Sequence, residues 1–304
     1  MSIYFEIIIG YNSCESMQNE EDWIMELPFY IDLTGQVVVV TGGSGVIGGM
    51  FCRALGKCGA RVAVLGRKAE NGIPVVNDIV AGGGEAVSLA ADVMNKDSLE
   101  DAKRQILEKW GKINILINCA GGAVKSAEIP QDQYADLEGD MISFFTTDME
   151  NIRKELDLNL YGTMLPTQVF GEAMVNQENA NIINISSMGA YGPLTRIPGY
   201  SGAKAAISNF TEWAANYFAR SGIRVNAIAP GFFQTTQNHA LHFNEDGTPT
   251  PRSQKIINST PMGKYGNPED LIGALLFLVS PKGSSFVTGV VLPVDGGFHC
   301  YLGV

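Results

Sequence analysis

Four consecutive valines, Val37 to Val40, run directly into Thr41-Gly42-Gly43-Ser44-Gly45-Val46-Ile47-Gly48. A short, unbroken β-branched run suits a strand that is covered on both faces, as in a parallel sheet flanked by helices. The glycines allow a tight reversal into a helix read over residues 47–58. A chain that begins this way is committed to a strand, a sharp turn and a crossover helix.

The same alternation repeats along the sequence. Strand-like runs fall at 61–65, 86–90, 113–117, 181–185, 224–228 and 289–294. Helical stretches fall between them, at 71–81, 96–110, 149–175, 202–220 and 268–279. Gly82-Gly83-Gly84 stops the first of these. Such a series predicts an α/β fold: a single-domain, Rossmann-type, doubly wound parallel sheet of about seven strands with helices on both faces. The 304 residues and 45% hydrophobic content support a core of that size. Residues 1–24 are polar, acidic and aperiodic and read as an N-terminal extension, with Met25 as an alternative start. Residues 25–304 read as one domain. Residues 121–148 are irregular, and 232–267 read as a mobile lid.

Charge and cysteine usage exclude several classes. A formal charge of −11 without a basic run disfavours nucleic acid and membrane surfaces. No apolar stretch approaches the roughly 18 residues of a membrane span. Ile7 to Ile9 is apolar but lacks the flanks of a signal peptide. The five cysteines, Cys14, Cys52, Cys58, Cys119 and Cys300, show no Cys-x-x-Cys spacing, and there are three histidines. Reduced thiols, a cytoplasmic setting and no metal site are the expectation.

The loop at 41–48 lies where a glycine-rich turn gains chemical meaning, between a buried strand and a helix start. Gly42, Ser44, Gly45, Val46, Ile47 and Gly48 would bring oriented N–H groups to a pyrophosphate; the bland alternative is an ordinary βα turn. After the second strand stand Gly66, Arg67 and Lys68, with no carboxylate to accept a ribose 2′-hydroxyl. That favours a 2′-phosphate and hence NADP(H), with NAD(H) possible if Arg67 is merely solvated. Asp92 and Val93 follow the third strand. Asn118, Ala120 and Gly121 follow the fourth, where small residues admit a cofactor.

The strongest pattern is Ser187, Tyr200 and Lys204. Tyr200 and Lys204, four apart at a helix start, share one face. A phenol is a poor base near neutrality, and an adjacent ammonium with a nicotinamide cation would favour the phenolate. Ser187, just past the fifth strand, could hold the carbonyl or alcohol oxygen. A lone Tyr-x-x-x-Lys pair is usually helix surface; the serine and the glycine loop raise it above that.

Together these motifs make the chain resemble the short-chain dehydrogenase/reductases, from about Asp32 to the C-terminus. The resemblance implies a catalytic tetrad completed by Asn159, which holds a water of a proton relay from the lysine. It also implies a nicotinamide turn at Pro230-Gly231 with Thr235 beside it, and a homotetramer. The commonest family loop would place glycine at 46; here Val46 stands there and Gly45 precedes it, so another residue must make the close approach. Phe232 to Asn238, Phe243 to Gly247 and the ending Pro293-Val294-Asp295-Gly296-Gly297-Phe298 resemble the D-mannonate oxidoreductase branch, which is similar to gluconate 5-dehydrogenases. A sugar acid is then the implied small-molecule substrate. Lys125, Arg196, Asn238 and His239 are candidates for its carboxylate and hydroxyls, each also readable as a solvated loop residue. A ketoacyl or steroid reductase is the alternative enzyme, and a non-catalytic nucleotide sensor the alternative class.

Overall fold

The structure is a computed structural model that describes residues 31–136, 139–235 and 242–303. Seven parallel strands form one sheet: β1 (Val37–Thr41), β2 (Arg61–Gly66), β3 (Glu85–Ala90), β4 (Ile115–Asn118), β5 (Asn181–Ile185), β6 (Arg224–Pro230) and β7 (Val291–Val294). Their order is β3-β2-β1-β4-β5-β6-β7. The order reverses between β1 and β4, and in such sheets the crevice at the carboxyl ends of these strands is where a ligand binds. The fold is the single-domain Rossmann type that the alternation predicts.

The crossover helices are α1 (Val46–Lys57), α2 (Ile73–Ala81), α3 (Lys96–Trp110), α4 (Met149–Leu156), α5 (Gly162–Met174), α6 (Pro198–Phe218), α7 (Pro251–Ser259) and α8 (Asp270–Val279). One apolar layer packs α3, α5 and α6 on the sheet through Leu99, Ile106, Phe170, Met174 and Ala214. The other packs α1, α2 and α8 through Phe51, Leu55, Ile79, Leu271 and Leu275. No helix among the described residues is long and apolar enough to cross a membrane.

Three departures from the sequence reading have local causes. The stretch read as one helix over 149–175 is interrupted by a π-helical turn, Asp157–Tyr161, between α4 and α5. Such turns bulge a helix and are common at functional positions. Helix α6 begins four residues earlier than read, because Pro198 occupies its first turn, where a missing N–H costs nothing. Within the 232–267 stretch read as a lid, α7 forms behind a Thr250 cap whose side chain accepts from the Ser253 N–H, again with proline in its first turn.

A buried amide network crosses the sheet under the crevice. Asn118 Nδ2 donates to Thr167 Oγ1 and to Asn184 Oδ1, both at 2.9 Å. Asn184 Nδ2 donates to Thr211 Oγ1 at 3.0 Å. It joins β4, β5, α5 and α6, the elements that carry the crevice floor. Replacing Asn184 with Val removes one hydrogen bond from each of two buried partners, the Asn118 amide and the Thr211 hydroxyl. Urea unfolding of Asn184→Val should show a loss of about 1–3 kcal/mol.

Candidate active site

A cleft of about 760 Å³ opens at the carboxyl ends of β1, β2, β4 and β5. The 41–48 loop forms its floor. Gly42 turns with φ +63°, and a Cβ there would lie 2.9 Å from the Ala120 backbone. A Cβ on Gly48 would collide with the Gly42 carbonyl. Val46 is accommodated half-buried, and it is Gly45 beside it that approaches the Gly42 carbonyl, where a Cβ would lie 3.2 Å away. Gly45 caps α1 without a side-chain acceptor. The first helical N–H groups therefore face the cleft without a helix partner, which is the arrangement a pyrophosphate needs. Thr41 Oγ1 accepts from the Cys119 and Ala120 N–H groups at 3.1 and 3.2 Å, tying β1 to the start of the 119–124 loop.

Most of the cofactor positions expected from sequence line this cleft: Gly42, Ser44, Gly45, Val46, Ile47, Gly48, Arg67, Asp92, Val93, Ala120, Gly121, Tyr200, Lys204, Pro230, Gly231 and Thr235. Two do not. Lys68 lies outside the lining, exposed at the start of a short 3-10 turn. The Asn118 side chain points into the buried amide network, because the period-two alternation of β4 turns it from the crevice. Arg67 is exposed and makes no ion pair among the described residues. Asp92 accepts from the Met94 N–H at 2.9 Å. Met94 and Leu158 also line the cleft. The sequence reading missed both, since an apolar residue beside a predicted position looks like core.

Ser187, Tyr200 and Lys204 converge at one end of the cleft. Ser187 begins a 3-10 turn, and its Oγ accepts from the Gly189 N–H at 3.1 Å, which leaves its own proton to donate. Lys204 is 4% exposed. Its Nζ donates to the Ile185 carbonyl at 2.8 Å and lies 5.5 Å from the centre of the Tyr200 ring. Burial lowers the Lys204 ammonium to about 8. Burial pushes the Tyr200 phenol above its ordinary value; the Ser187 hydroxyl beside it opposes that shift and the Glu155 charge adds to it. In the chain alone the phenol is therefore held protonated; the phenolate expected from sequence was that of the ammonium together with a nicotinamide cation.

Asn159 sits in the π-helical turn, fully buried. Its Nδ2 donates to the carbonyls of Gly122 and Glu155, both at 2.9 Å, and its Oδ1 accepts from the Gly122 N–H at 3.0 Å. It clamps the 121–124 loop and makes no direct bond to Lys204.

The substrate candidates are more scattered. Arg196, with φ +73°, pairs with Glu128 at 2.8 Å. It lines a neighbouring cavity of about 260 Å³ with Tyr134, Phe144 and Pro198, not the main cleft. Lys125 is exposed on a 3-10 turn outside both cavities. Asn238 and His239 lie outside the described residues.

With that geometry in place, comparison with known proteins fixes the family. The family model described as enoyl-(acyl carrier protein) reductase matches residues 41–299. An uncharacterized oxidoreductase of Bacillus subtilis (strain 168) is 49% identical over 278 residues, 91% of this chain and 100% of the relative. A Haemophilus influenza protein solved with bound NAD, and named as a candidate D-mannonate oxidoreductase, is 45% identical with a TM-score of 0.87. That match covers 90% of this chain and 98% of that one. A gluconate 5-dehydrogenase from Burkholderia cenocepacia J2315, in complex with NADP and tartrate, is 27% identical with a TM-score of 0.75, covering 90% and 98%. The chain belongs to the short-chain dehydrogenase/reductase family and is a nicotinamide-dependent oxidoreductase.

Proposed function

We propose that the protein interconverts a secondary alcohol and a ketone on a sugar acid of the D-mannonate/D-fructuronate type. The convergence of Ser187, Tyr200 and Lys204 at one end of the cleft carries the reaction class. The dinucleotide, when bound, supplies or accepts the hydride. In the reductive direction Ser187 donates a hydrogen bond to the carbonyl oxygen, and the Tyr200 phenol delivers its proton to that oxygen. Lys204 stabilises the phenolate that this leaves, and Asn159 holds the 121–124 loop that would border the cofactor. Oxidation runs the same transfers backwards, with the nicotinamide cation supplying the charge that the chain alone lacks.

Two observations support a sugar acid. The names of the similar Haemophilus and Burkholderia proteins point to sugar acids. Beside the 193–198 loop, three cations, Arg196, Arg252 and Lys255, meet only two carboxylates, Glu128 and Asp132. Glu128 is shared between Arg196 and Arg252, so the cluster carries one net positive charge beside the cavity that neighbours the cleft. We read the protein as a cytoplasmic homotetramer; Trp213 and Tyr217, stacked at 4.9 Å and exposed on α6, offer an apolar face for it. The lid role of residues 232–267 and an extension at 1–24 belong to the same reading.

For the cofactor we favour NADP(H), because Arg67 reaches the cleft and no carboxylate stands beside it. The NAD bound in the Haemophilus structure favours the other nicotinamide. Arg67→Ala should raise KM for NADPH about tenfold or more and leave that for NADH within about twofold. Equal changes for both would remove the argument.

A cofactor-coupled absorbance screen over sugar acids, polyols and ketones tests the substrate class. On whichever substrate turns over, Tyr200→Phe should lower kcat by about 10²–10⁴-fold with cofactor binding intact. Full turnover by that variant sinks the reading. Because Lys204 is charged below about 8, the rate of carbonyl reduction should fall as pH rises through that value.

A further inference from the structure

Glu155 and Lys204 are the only Asp, Glu, Lys or Arg residues buried among the described residues. The reaction uses Lys204; Glu155 has no role in it so far. Glu155 lies on α4, one turn before Asn159, with its side chain aimed at the start of α6. Its Oε1 accepts from the Val124 N–H at 2.7 Å. Its Oε2 is buried, without a partner at full hydrogen-bond geometry, and the Tyr200 N–H is the donor that bears on it. That oxygen lies against the first turn of α6, where a Cβ on Gly199 would come within 2.6 Å of it. Glycine at 199 is what makes room for the carboxylate.

The start of α6 needs an acceptor. Its N-cap, Ile197, has no side-chain oxygen. Pro198 has no N–H, and the Ser201 N–H is bonded to the Ile197 carbonyl at 3.1 Å. The N–H groups of Gly199 and Tyr200 are the first-turn donors that no helix carbonyl serves. An anion there is favoured by those donors and by the helix dipole.

We propose that Glu155 is a positioning residue: its carboxylate caps α6 from a neighbouring helix, ties that helix start to the 121–124 loop, and tunes proton exchange at Tyr200 through its own charge. This rests on the reading of Tyr200 as the proton-transfer residue. Both structures that Glu155 joins touch the chemistry. The loop is the one that Asn159 clamps, and the helix carries Tyr200 and Lys204. The titratable groups on the elements packed around Glu155 are Tyr200, Lys204, Glu212 and Tyr217 on α6, Lys125 and Glu128 at and just after the 125–127 turn, and Asp157 and Tyr161 in the π-helical turn. Glu150, Arg153 and Lys154 lie on α4 itself. Among them, the Tyr200 phenol feels the Glu155 charge, which raises it. Burial in turn raises the Glu155 carboxyl, against the opposing pull of the Val124 and Tyr200 N–H groups.

The signs follow. A carboxyl raised in the folded state keeps its proton where the unfolded chain has lost it, so stability falls as pH rises from its ordinary value of 4.5 to the raised one and stays lower above it. Glu155→Gln removes that cost and the charge beside Tyr200, and keeps the shape.

The test measures pH profiles of kcat/KM for alcohol oxidation, and of melting temperature, for wild type, Glu155→Gln and Glu155→Leu. In Glu155→Gln the acid limb of oxidation should move to lower pH, with KM for the dinucleotide within about twofold of wild type. Its melting temperature relative to wild type should rise as pH increases above 4.5. Glu155→Leu, which removes cap and tie together, should lose roughly tenfold in kcat. A limb that stays put or moves to higher pH in Glu155→Gln overturns the tuning role. Full kcat in Glu155→Leu overturns the positioning role. The melting series reads the Glu155 charge whether or not a sugar acid is the substrate. If Tyr200→Phe abolishes turnover while the Glu155 variants match wild type, this inference alone fails.

Discussion

The Lys204 ammonium is buried at 4% exposure, with one hydrogen bond to the Ile185 carbonyl at the end of β5. Water would hold that charge far more cheaply, and the cost shows in a proton that leaves near 8. Keeping a lysine there requires a fixed acceptor, a fixed helix and a nearby group whose charge it can serve. β5 supplies the carbonyl, α6 the helix, and Tyr200, one turn earlier on the same face, the group. The buried Asn118–Asn184–Thr211 chain holds β4, β5 and α6 in register beneath them.

Around that cation the chain arranges two kinds of control. One is mechanical. Thr41, Asn159 and Glu155 each bond backbone in the 119–124 loop, from β1, from the π-helical turn and from α4. The loop that lines the cleft is therefore fixed from three sides. The other is electrostatic. Burial and Glu155 hold the Tyr200 phenol protonated, while the Ser187 hydroxyl pulls the other way. On the proposed reading the phenol is thereby held as a proton donor, and an oxidised nicotinamide, when bound, would supply the positive charge that makes it a base.

Much of this was legible in the sequence, and the reason is spacing. Val37 to Val40 followed by the glycine loop marks β1, the turn and α1 because each has its own period and breaker. Ser187, Tyr200 and Lys204 are legible because a strand end and a helix start are both readable from periodicity. What was not legible depends on direction and on distant contact. Asn118 sits at the expected strand end, yet strand parity turns its side chain into the core. Arg196 lies near Tyr200 in sequence, but its left-handed backbone and Glu128 hold it beside a separate cavity. Glu155 reads as one more polar residue of a helix. Only the fold shows that Gly199, forty-four residues away, leaves space for its carboxylate.

The central claim is that the Tyr200 phenol becomes a base only when the oxidised cofactor adds its charge to that of Lys204. An ultraviolet difference titration of phenolate formation, with and without saturating oxidised nicotinamide dinucleotide, measures this directly. The account predicts one additional phenolate near neutral to mildly alkaline pH that appears only with the cofactor and is missing in Tyr200→Phe. Identical titrations with and without cofactor, or an unchanged difference in Tyr200→Phe, would contradict it.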